Sequence, residues 1–251
     1  MAPKTWRGPN SAPIAEININ FLIDHQCPQC GAPAELSETD RLFKCAFCKV
    51  NSYLAEQDYF RYALPHNAPA DHELVYFPYW RFKGMLFSCL PGGIQNRFLD
   101  VSQQAVSSPY FPASVGLRSQ ALKLRFVSPE TKGWFIKPAL SIDQVMENFV
   151  KRANLNMPRP ILHQSHIGES LSLIYSPFYV GRKIMDAVLN QPVSPALDET
   201  FELKQFSGGP ADWRIHFIPT LCPNCGWDMQ GRRDALVLHC ANCESMWQAS
   251  K

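Results

Sequence analysis

The sequence predicts an α+β protein with a mainly antiparallel β central domain that has one or two helices, flanked by two small cysteine-rich β domains. Three observations lead to this fold class. Hydrophobic residues make up 46% and charged residues 18% of the 251 residues, so the chain can bury a core. Its 21 prolines and 16 phenylalanines favour irregular, strand-rich structure over a helical bundle. Eight of the nine cysteines lie near the two ends.

These observations divide the chain into a polar tail (residues 1–20), two cysteine-rich ends (21–60 and 219–251) and a central domain (61–218). The tail has prolines where a signal peptide needs about 7 to 15 apolar residues. No run of about 18 apolar residues, the length of a membrane span, occurs in the chain. We therefore expect a cytoplasmic protein, in which clustered cysteines bind metal more often than they form disulfides.

Both groups of cysteines have the same spacing, C-x2-C-x14-C-x2-C. They are Cys27, Cys30, Cys45 and Cys48, and Cys222, Cys225, Cys240 and Cys243. Two thiolates separated by two residues can bind one ion from a single tight turn, and two such turns complete a tetrahedron around Zn²⁺. Gly31 and Gly226 follow the first turns, where a positive φ costs glycine little. Because four thiolates leave no coordination position open, the sequence predicts two structural Zn²⁺ per chain.

This pattern resembles the zinc-ribbon superfamily, which is found in transcription factors, ribosomal proteins and many bacterial adaptors. The resemblance covers about 40 residues at one end and about 33 at the other and leaves the middle unmatched. It implies small β domains stapled by metal, without indicating one function. Iron is an alternative because rubredoxins are similar, but their second turns usually also contain Pro and Gly, which are absent beside Cys45 and Cys240. Free thiols and disulfides are further alternatives.

Apolar residues beside the cysteines are expected to pack around each metal. Near the first metal they are Phe21, Leu22, Ile23, Leu36, Leu42 and Phe43, and near the second they are Trp227, Leu236, Val237, Leu238 and Trp247. Glu38 and Asp40 lie between the two cysteine pairs of the first group, where we expect a turn exposed to solvent.

The central domain shows patterns of strands and of one helix. Residues 76–82 and 84–90 are predicted strands followed by a turn at 91–93, and residues 171–193 form a hairpin that turns near 181–183. Leu122–Phe126 alternates apolar and basic residues, which is typical of a half-buried strand. Ser141 and Gln144 match a capping box, which predicts that a helix begins there.

Two segments of the central domain share the pattern Tyr-x-Pro-aromatic-aromatic. They begin at Tyr76 and Tyr175 and indicate two related strand units, although chance is an alternative in a chain rich in these residues. Their prolines suggest an edge or an interruption of the sheet. Because a strand alternates faces, one ring of each aromatic pair is expected to face outward and bind partners. The candidate partner-binding residues are Tyr79, Trp80, Phe178 and Tyr179.

The remaining Cys and His candidates are not expected to bind metal or to act in catalysis. Cys89 lies in an apolar strand and is expected to be buried, and His163 and His166 lack further ligands that would complete a metal site. The sequence contains no P-loop, dinucleotide-binding, nucleophile-elbow or zinc-protease motif. We therefore expect no enzymatic activity.

Charge separates the remaining function classes. The net charge is +2, and residues 21–60 carry three basic against six acidic side chains, which disfavours binding to phosphates. The sequence thus predicts an adaptor, assembly factor or accessory subunit that binds other proteins within a complex. The alternative is nucleic-acid binding through aromatic and basic residues of the central domain, such as Trp80, Arg81 and Lys83.

Overall fold

The computed structural model describes residues 22–55, 58–197 and 201–248. The predicted polar tail and Phe21 lie outside these ranges. Within them the chain is mostly β and has two α-helices, consistent with the α+β class. No helix in the described ranges is long and apolar enough to cross a membrane.

The strands and helices are numbered along the described chain. The strands are β1 (Leu22–Gln26), β2 (Pro33–Ser37), β3 (Leu42–Lys44), β4 (Asn51–Ala55), β5 (Phe60–Ala63), β6 (Leu74–Leu90), β7 (Gly93–Gln104), β8 (Leu124–Phe126), β9 (Trp134–Ile136), β10 (His163–Val180), β11 (Ile184–Asp186), β12 (Gln191–Pro192), β13 (Gly208–Gly209), β14 (His216–Pro219), β15 (Val237–His239) and β16 (Met246–Gln248). The helices are α1 (Arg118–Ala121), α2 (Ile142–Ala153) and two 3₁₀ turns, Asn154–Asn156 and Leu203–Gln205.

Eleven strands form one sheet. Its order is β13-β9-β6-β10-β5-β8-β1-β2, while β7 pairs with β6, β11 with β10, and β12 with β11. Only the pairs β1–β8, β5–β10 and β6–β9 in the described chain are parallel, so the predicted antiparallel character is confirmed. The N-terminal cysteine-rich segment adjoins this sheet, because β1 and β2 extend it, while β3 and β4 form a smaller sheet with β14. The predicted domain boundaries at residues 61 and 219 stay predictions.

Two long neighbouring strands, β6 and β10, form the centre of the sheet. The predicted pair of strands at residues 76–82 and 84–90 is in fact the single strand β6, which continues through Gly84. Gly84 pairs with Leu99 on one side and Gly168 on the other, so ladder bonds on both sides keep the strand extended there. The predicted turns at 91–93 and 181–183 are confirmed, although Gly93 itself begins β7.

Pro78 and Pro177 lie within these central strands. Each lies where the strand changes neighbours on one side: β6 passes from β9 to β7, and β10 passes from β5 to β11. Their carbonyls accept backbone hydrogen bonds from Ala105 (3.0 Å) and Ala187 (3.1 Å). A missing N–H therefore costs no ladder bond, and the expected interruption of the sheet is found on one side of each strand.

The aromatic pair on β6 is buried. Tyr79 donates its hydroxyl proton to the Pro112 carbonyl (2.9 Å), and Trp80 Nε1 donates to the Leu140 carbonyl (3.0 Å). Adjacent strand residues do face opposite sides, but loops cover both sides of the sheet here. The prediction that one of these rings faces solvent is wrong.

The aromatic pair on β10 is buried for the same reason. Phe178 packs edge-on against Phe111, with ring centroids 5.1 Å apart, and Tyr179 stacks on His72 at 4.6 Å. The prediction of an outward ring is wrong here as well. Tyr79, Trp80, Phe178 and Tyr179 therefore form part of the core and provide no exposed partner-binding edge.

The predicted capping box begins α2. The Gln144 N–H donates to Ser141 Oγ (3.3 Å), and the Ser141 N–H donates to Gln144 Oε1 (2.9 Å). Two reciprocal bonds satisfy backbone donors at the helix start. Cys89, which was expected to be buried, is partly exposed because the end of β6 is covered on one face only.

Candidate metal centres

The eight predicted ligands form two compact clusters. In each cluster the four Sγ atoms lie within 4.8 Å of one another, and within the described ranges no other group of three or more Cys, His, Asp or Glu side chains does so. Individual Sγ–Sγ distances are 3.8 Å (Cys27–Cys48) and 3.7 Å (Cys30–Cys45) in the first cluster, and 3.6 Å (Cys222–Cys243) and 3.5 Å (Cys225–Cys240) in the second.

These distances fit one metal ion per cluster. Four thiolates about 2.3 Å from a central Zn²⁺ in a tetrahedron are about 3.8 Å from one another. The observed spacing needs only small adjustments to reach that geometry. Each cluster could thus hold a metal ion whose coordination shell is filled by protein sulfur.

One backbone turn is repeated around the clusters. The Cys27 N–H donates to the Ala32 carbonyl (2.8 Å), and the Cys222 N–H donates to the Trp227 carbonyl (2.8 Å). Cys45 and Cys240 make the same bond to the residue five positions later, at 3.1 Å and 2.8 Å. Each turn thus presents two sulfurs on one side, as the sequence spacing predicts.

The residue after the second cysteine of each turn has a positive φ. The angle is 71° at Gly31 and 73° at Gly226, which confirms the prediction for the glycines. It is 63° at Lys49 and 56° at Glu244, so the second turns adopt the same backbone without glycine. Metal coordination is one interaction that can offset the strain of these two residues.

The first cluster is built from the ends of two hairpins. Cys27 and Cys30 lie in the turn between β1 and β2, and Cys45 and Cys48 lie in the turn between β3 and β4. The 14 residues between the two turns do not form one hairpin, because β2 and β3 belong to different sheets. The cluster therefore links the large sheet to a small one.

Backbone amides stabilise the thiolate form of Cys45. Hydrogen bonds from the backbone of Cys48 and Phe47 are the main reason that its pKa is lowered to about 6, and the Phe47 N–H lies 3.4 Å from its sulfur. A backbone N–H group in this turn thus points toward the sulfur. A thiolate is the form that binds metal.

The second cluster has a hydroxyl that sequence reasoning missed. Ser245 Oγ lies 3.0 Å from Cys243 Sγ and 3.5 Å from Cys222 Sγ, and it accepts a hydrogen bond from Trp247 Nε1 at 2.8 Å. The Ser245 hydroxyl is the main reason that the pKa of Cys243 is lowered to about 6. Val50 occupies the corresponding position of the first cluster. The sequence signal that could have indicated this contact is a hydroxyl residue two positions after the last cysteine of the group.

The two clusters are joined to each other. The backbone N–H groups of Arg41 and Leu42 donate to the Arg233 carbonyl at 2.6 and 2.8 Å, and the Arg233 guanidinium pairs with Asp40. Leu42 also packs against a small core around Leu238. The two cysteine-rich segments are therefore in contact, although nearly 200 residues separate Arg41 from Arg233.

The expected solvated turn at Glu38 and Asp40 is wrong, because both carboxylates are buried. Glu38 pairs with Arg81 of β6, which also donates two hydrogen bonds to Asp100 at 2.7 and 2.8 Å. Burial raises the pKa of Glu38, while the nearby charges of Arg81 and Lys83 oppose that shift. The turn between β2 and β3 thus docks onto cations of the central sheet.

The apolar packing around the first cluster is confirmed for its main residues. Ile23, Leu36 and Phe43 are buried there. Around the second cluster the prediction is wrong for all but Leu238, because Trp227, Leu236, Val237 and Trp247 are exposed. The C-terminal segment, residues 220–248, has a small buried core, which packs against Leu42 of β3 and Tyr53 of β4.

His163 and His166 do not form a site. They lie three positions apart on β10, so they face opposite sides of the strand. They are also outside both clusters of metal-ligating side chains found in the described chain.

Comparisons with known proteins identify no relative. A scan of protein-family models and searches of curated proteins and of solved structures found no match for this chain.

Proposed function

We propose that this chain is a non-enzymatic zinc-binding adaptor or accessory subunit that acts through protein–protein contacts, with a zinc ribbon at each end. The observation that carries the proposal is the exposed apolar surface of the C-terminal segment. Its exposed large apolar side chains are Leu221, Trp227, Leu236, Val237, Met246 and Trp247.

The metal centres support a structural role for zinc. Four cysteine sulfurs within tetrahedral distance suit Zn²⁺ and leave no position for a water or substrate. Zinc bound there would staple turns whose apolar cores are small. Protein purified without chelators should contain two equivalents of zinc and lack the visible absorption of iron thiolates.

The apolar surface is what a partner-binding module needs. Trp227 is 59% exposed and Met246 is 73% exposed, while Leu238 on the same segment is buried against the first cluster's hairpin. Large side chains held outward on a metal-stapled frame lose little entropy on binding, and Trp and Met are enriched at protein interfaces. We therefore assign partner binding to the C-terminal segment in place of the buried aromatic pairs.

Nucleic-acid binding, the alternative, has less support. Trp80 and Tyr179, the aromatic rings on which it relied, are buried, and Arg81 is engaged with two carboxylates. A single-strand binder needs exposed rings next to unpaired cations.

The test is recovery of partners by the tagged full chain from its native host. Trp227→Ser and Met246→Ser are compared with the parent and with Leu117→Ser, a control that changes an exposed leucine outside the segment. All four proteins are first shown to be folded and to contain two equivalents of zinc. Proteins held stoichiometrically by the parent and Leu117→Ser should be lost from both segment variants.

Two results would contradict the proposal. One is equal retention of every partner by all four proteins. The other is retained material that is RNA or DNA and that dissociates steeply as salt is raised.

A further inference from the structure

A second exposed surface lies at the far end of the central sheet, which we call the arm. It consists of the end of β6 (residues 85–90), the start of β7 (93–99) and the start of β10 (163–168). These strands extend past the other strands, because β10 meets β5 only from Ser172 onward. The arm is therefore a three-stranded sheet with two free edges in the described structure.

The outer edge of β7 is unpaired. Among the described strands, β7 pairs only with β6, and no described backbone group bonds to the outer side of residues 93–99. In an antiparallel pair, alternate residues point their N–H and C=O groups away from the partner. About half of the backbone groups in this stretch are therefore free to pair with an added strand. Natural edges are usually protected by short strands, charged side chains, prolines or bulges, and over residues 93–99 β7 has one of these, the charged side chain of Arg97.

One face of the arm is apolar and exposed. Residues directly opposite each other share a face, so Met85 lies beside Phe98 and Ile167, and Cys89 lies beside Ile94. Ile94 is 75% exposed and Phe98 is 55% exposed.

The opposite face of the arm is partly covered. Ser88 Oγ there lies 3.7 Å from Met157 Sδ, so a contact from outside the arm reaches that side. An apolar row thus faces solvent on one side only.

The arm carries positive charge without acidic residues. Neither residues 84–99 nor residues 154–168 contain Asp or Glu; Arg97 lies on the arm itself, and Arg159 lies in the segment that precedes β10. Neither arginine forms an ion pair with another residue in the described ranges. Arg97 lies on the edge strand β7 itself, between Asn96 and Phe98.

We propose that the outer edge of β7 binds an extended segment of a partner protein in which apolar and acidic residues alternate. The segment adds a strand to β7, its apolar side chains continue the row of Ile94 and Phe98, and its carboxylates face Arg97 on the other side. Backbone hydrogen bonds provide affinity, and alternate side chains provide specificity. The alternation of β7 dictates the alternation of the segment.

Two other occupants fit less well. A second copy of this chain would bring the same acid-free surface against itself and place like charges close together. A lipid surface would leave the free N–H and C=O groups of β7 without partners in an apolar layer. Only an acidic strand satisfies the edge, the apolar row and the charge together.

The test uses a fluorescent eight-residue peptide of alternating Val and Glu, titrated with the full zinc-loaded chain and followed by anisotropy. Saturable binding is expected, and it should weaken at least about tenfold for a Val-Lys peptide and for a Val-Glu peptide interrupted by two prolines. Phe98→Ser should weaken binding by a similar factor. Arg97→Glu should weaken the Val-Glu peptide and strengthen the Val-Lys peptide.

Matched variants separate this site from the proposed function. Leu117→Ser and Trp227→Ser should bind the Val-Glu peptide as the parent does, because neither residue lies in the arm. The peptide assay can thus fail while the partner recovery through the C-terminal segment succeeds, and the reverse also holds.

Several results would overturn the proposal. They are absence of saturable binding, equal binding of the Val-Glu and Val-Lys peptides, and unchanged binding by Phe98→Ser or Arg97→Glu. Concentration-dependent dimerisation that is abolished by Phe98→Ser would assign the edge to a second copy. Flotation with phosphatidylserine vesicles that is abolished by Phe98→Ser would assign it to a lipid surface.

Discussion

Replacing Arg81 by Met should destabilise the protein by about 3–5 kcal/mol, the cost of breaking a buried ion pair. Arg81 is 2% exposed, and its partners Glu38 and Asp100 have side chains that are 4% and 6% exposed. The Met side chain fills much of the volume but leaves both carboxylates buried without the guanidinium. The loss of charge compensation, and not a cavity, therefore sets this magnitude.

The measurement is equilibrium unfolding in urea of the full zinc-loaded chain, followed by tryptophan fluorescence. The matched control is Arg214→Met, because Arg214 pairs with Glu130 at 2.5 Å but both side chains are more than half exposed. An exposed pair contributes less than about 1 kcal/mol. The two variants remove the same side chain and differ chiefly in burial.

A further variant tests the cause. Adding Glu38→Gln and Asp100→Asn to Arg81→Met should restore part of the lost stability, because neither carboxylate then stays buried and charged, while Lys83 keeps its buried charge beside them. The reasoning is refuted if Arg81→Met and Arg214→Met lose equal stability. It is also refuted if the triple variant is less stable than Arg81→Met alone.

The other predictions concern pH and the metal centres. Burial raises the pKa of Glu38 in the folded state. Protonation of this carboxyl therefore stabilises the protein below the ordinary pKa of Glu near 4.5, and this stabilisation is lost as pH rises through the pKa of the folded state. In urea unfolding, the free energy of unfolding of Glu38→Gln should therefore rise relative to that of the parent as pH increases from 4.5 to neutral. A fall relative to the parent over this range would contradict the direction. Ser245→Ala should lower the zinc affinity of the second cluster by about tenfold or more, because it removes a hydroxyl beside two ligand sulfurs. Chelator competition measures this, and Val50→Ala, at the corresponding position of the first cluster, should have a smaller effect. Cys222→Ser should remove one equivalent of metal. It should also lower the thermal stability of the first cluster's hairpins, because the backbone N–H groups of Arg41 and Leu42 bond to the Arg233 carbonyl. Unchanged melting of those hairpins would show that the two cysteine-rich segments are independent.

Local chemistry allowed much of the metal centres to be predicted. Ligand identity, the repeated turn and the positive φ at Gly31 and Gly226 depend on a few neighbouring residues, so spacing alone indicates them. The capping box at Ser141 is local in the same way. These features need no knowledge of what packs against them.

Burial and exposure could not be predicted in the same way. Trp80 and Tyr179 lie on strands whose residues alternate faces, but segments distant in sequence cover both faces of β6 and β10 at these two positions. Acidic residues such as Glu38 and Asp40 are typical of a solvated turn, but here they form ion pairs with Arg81 and Arg233. The partners responsible lie tens to nearly 200 residues away.

The sequence by itself therefore determined the two groups of four cysteines that could hold metal, their two turns at each end and the β-rich class of the chain. The tertiary structure alone decided which surfaces are free: the C-terminal segment around Trp227 and Met246, and the edge of β7 beside Arg97. The physical reason is that coordination geometry and turn conformation are set by residues a few positions apart. Exposure depends on which distant segments the sheet brings together.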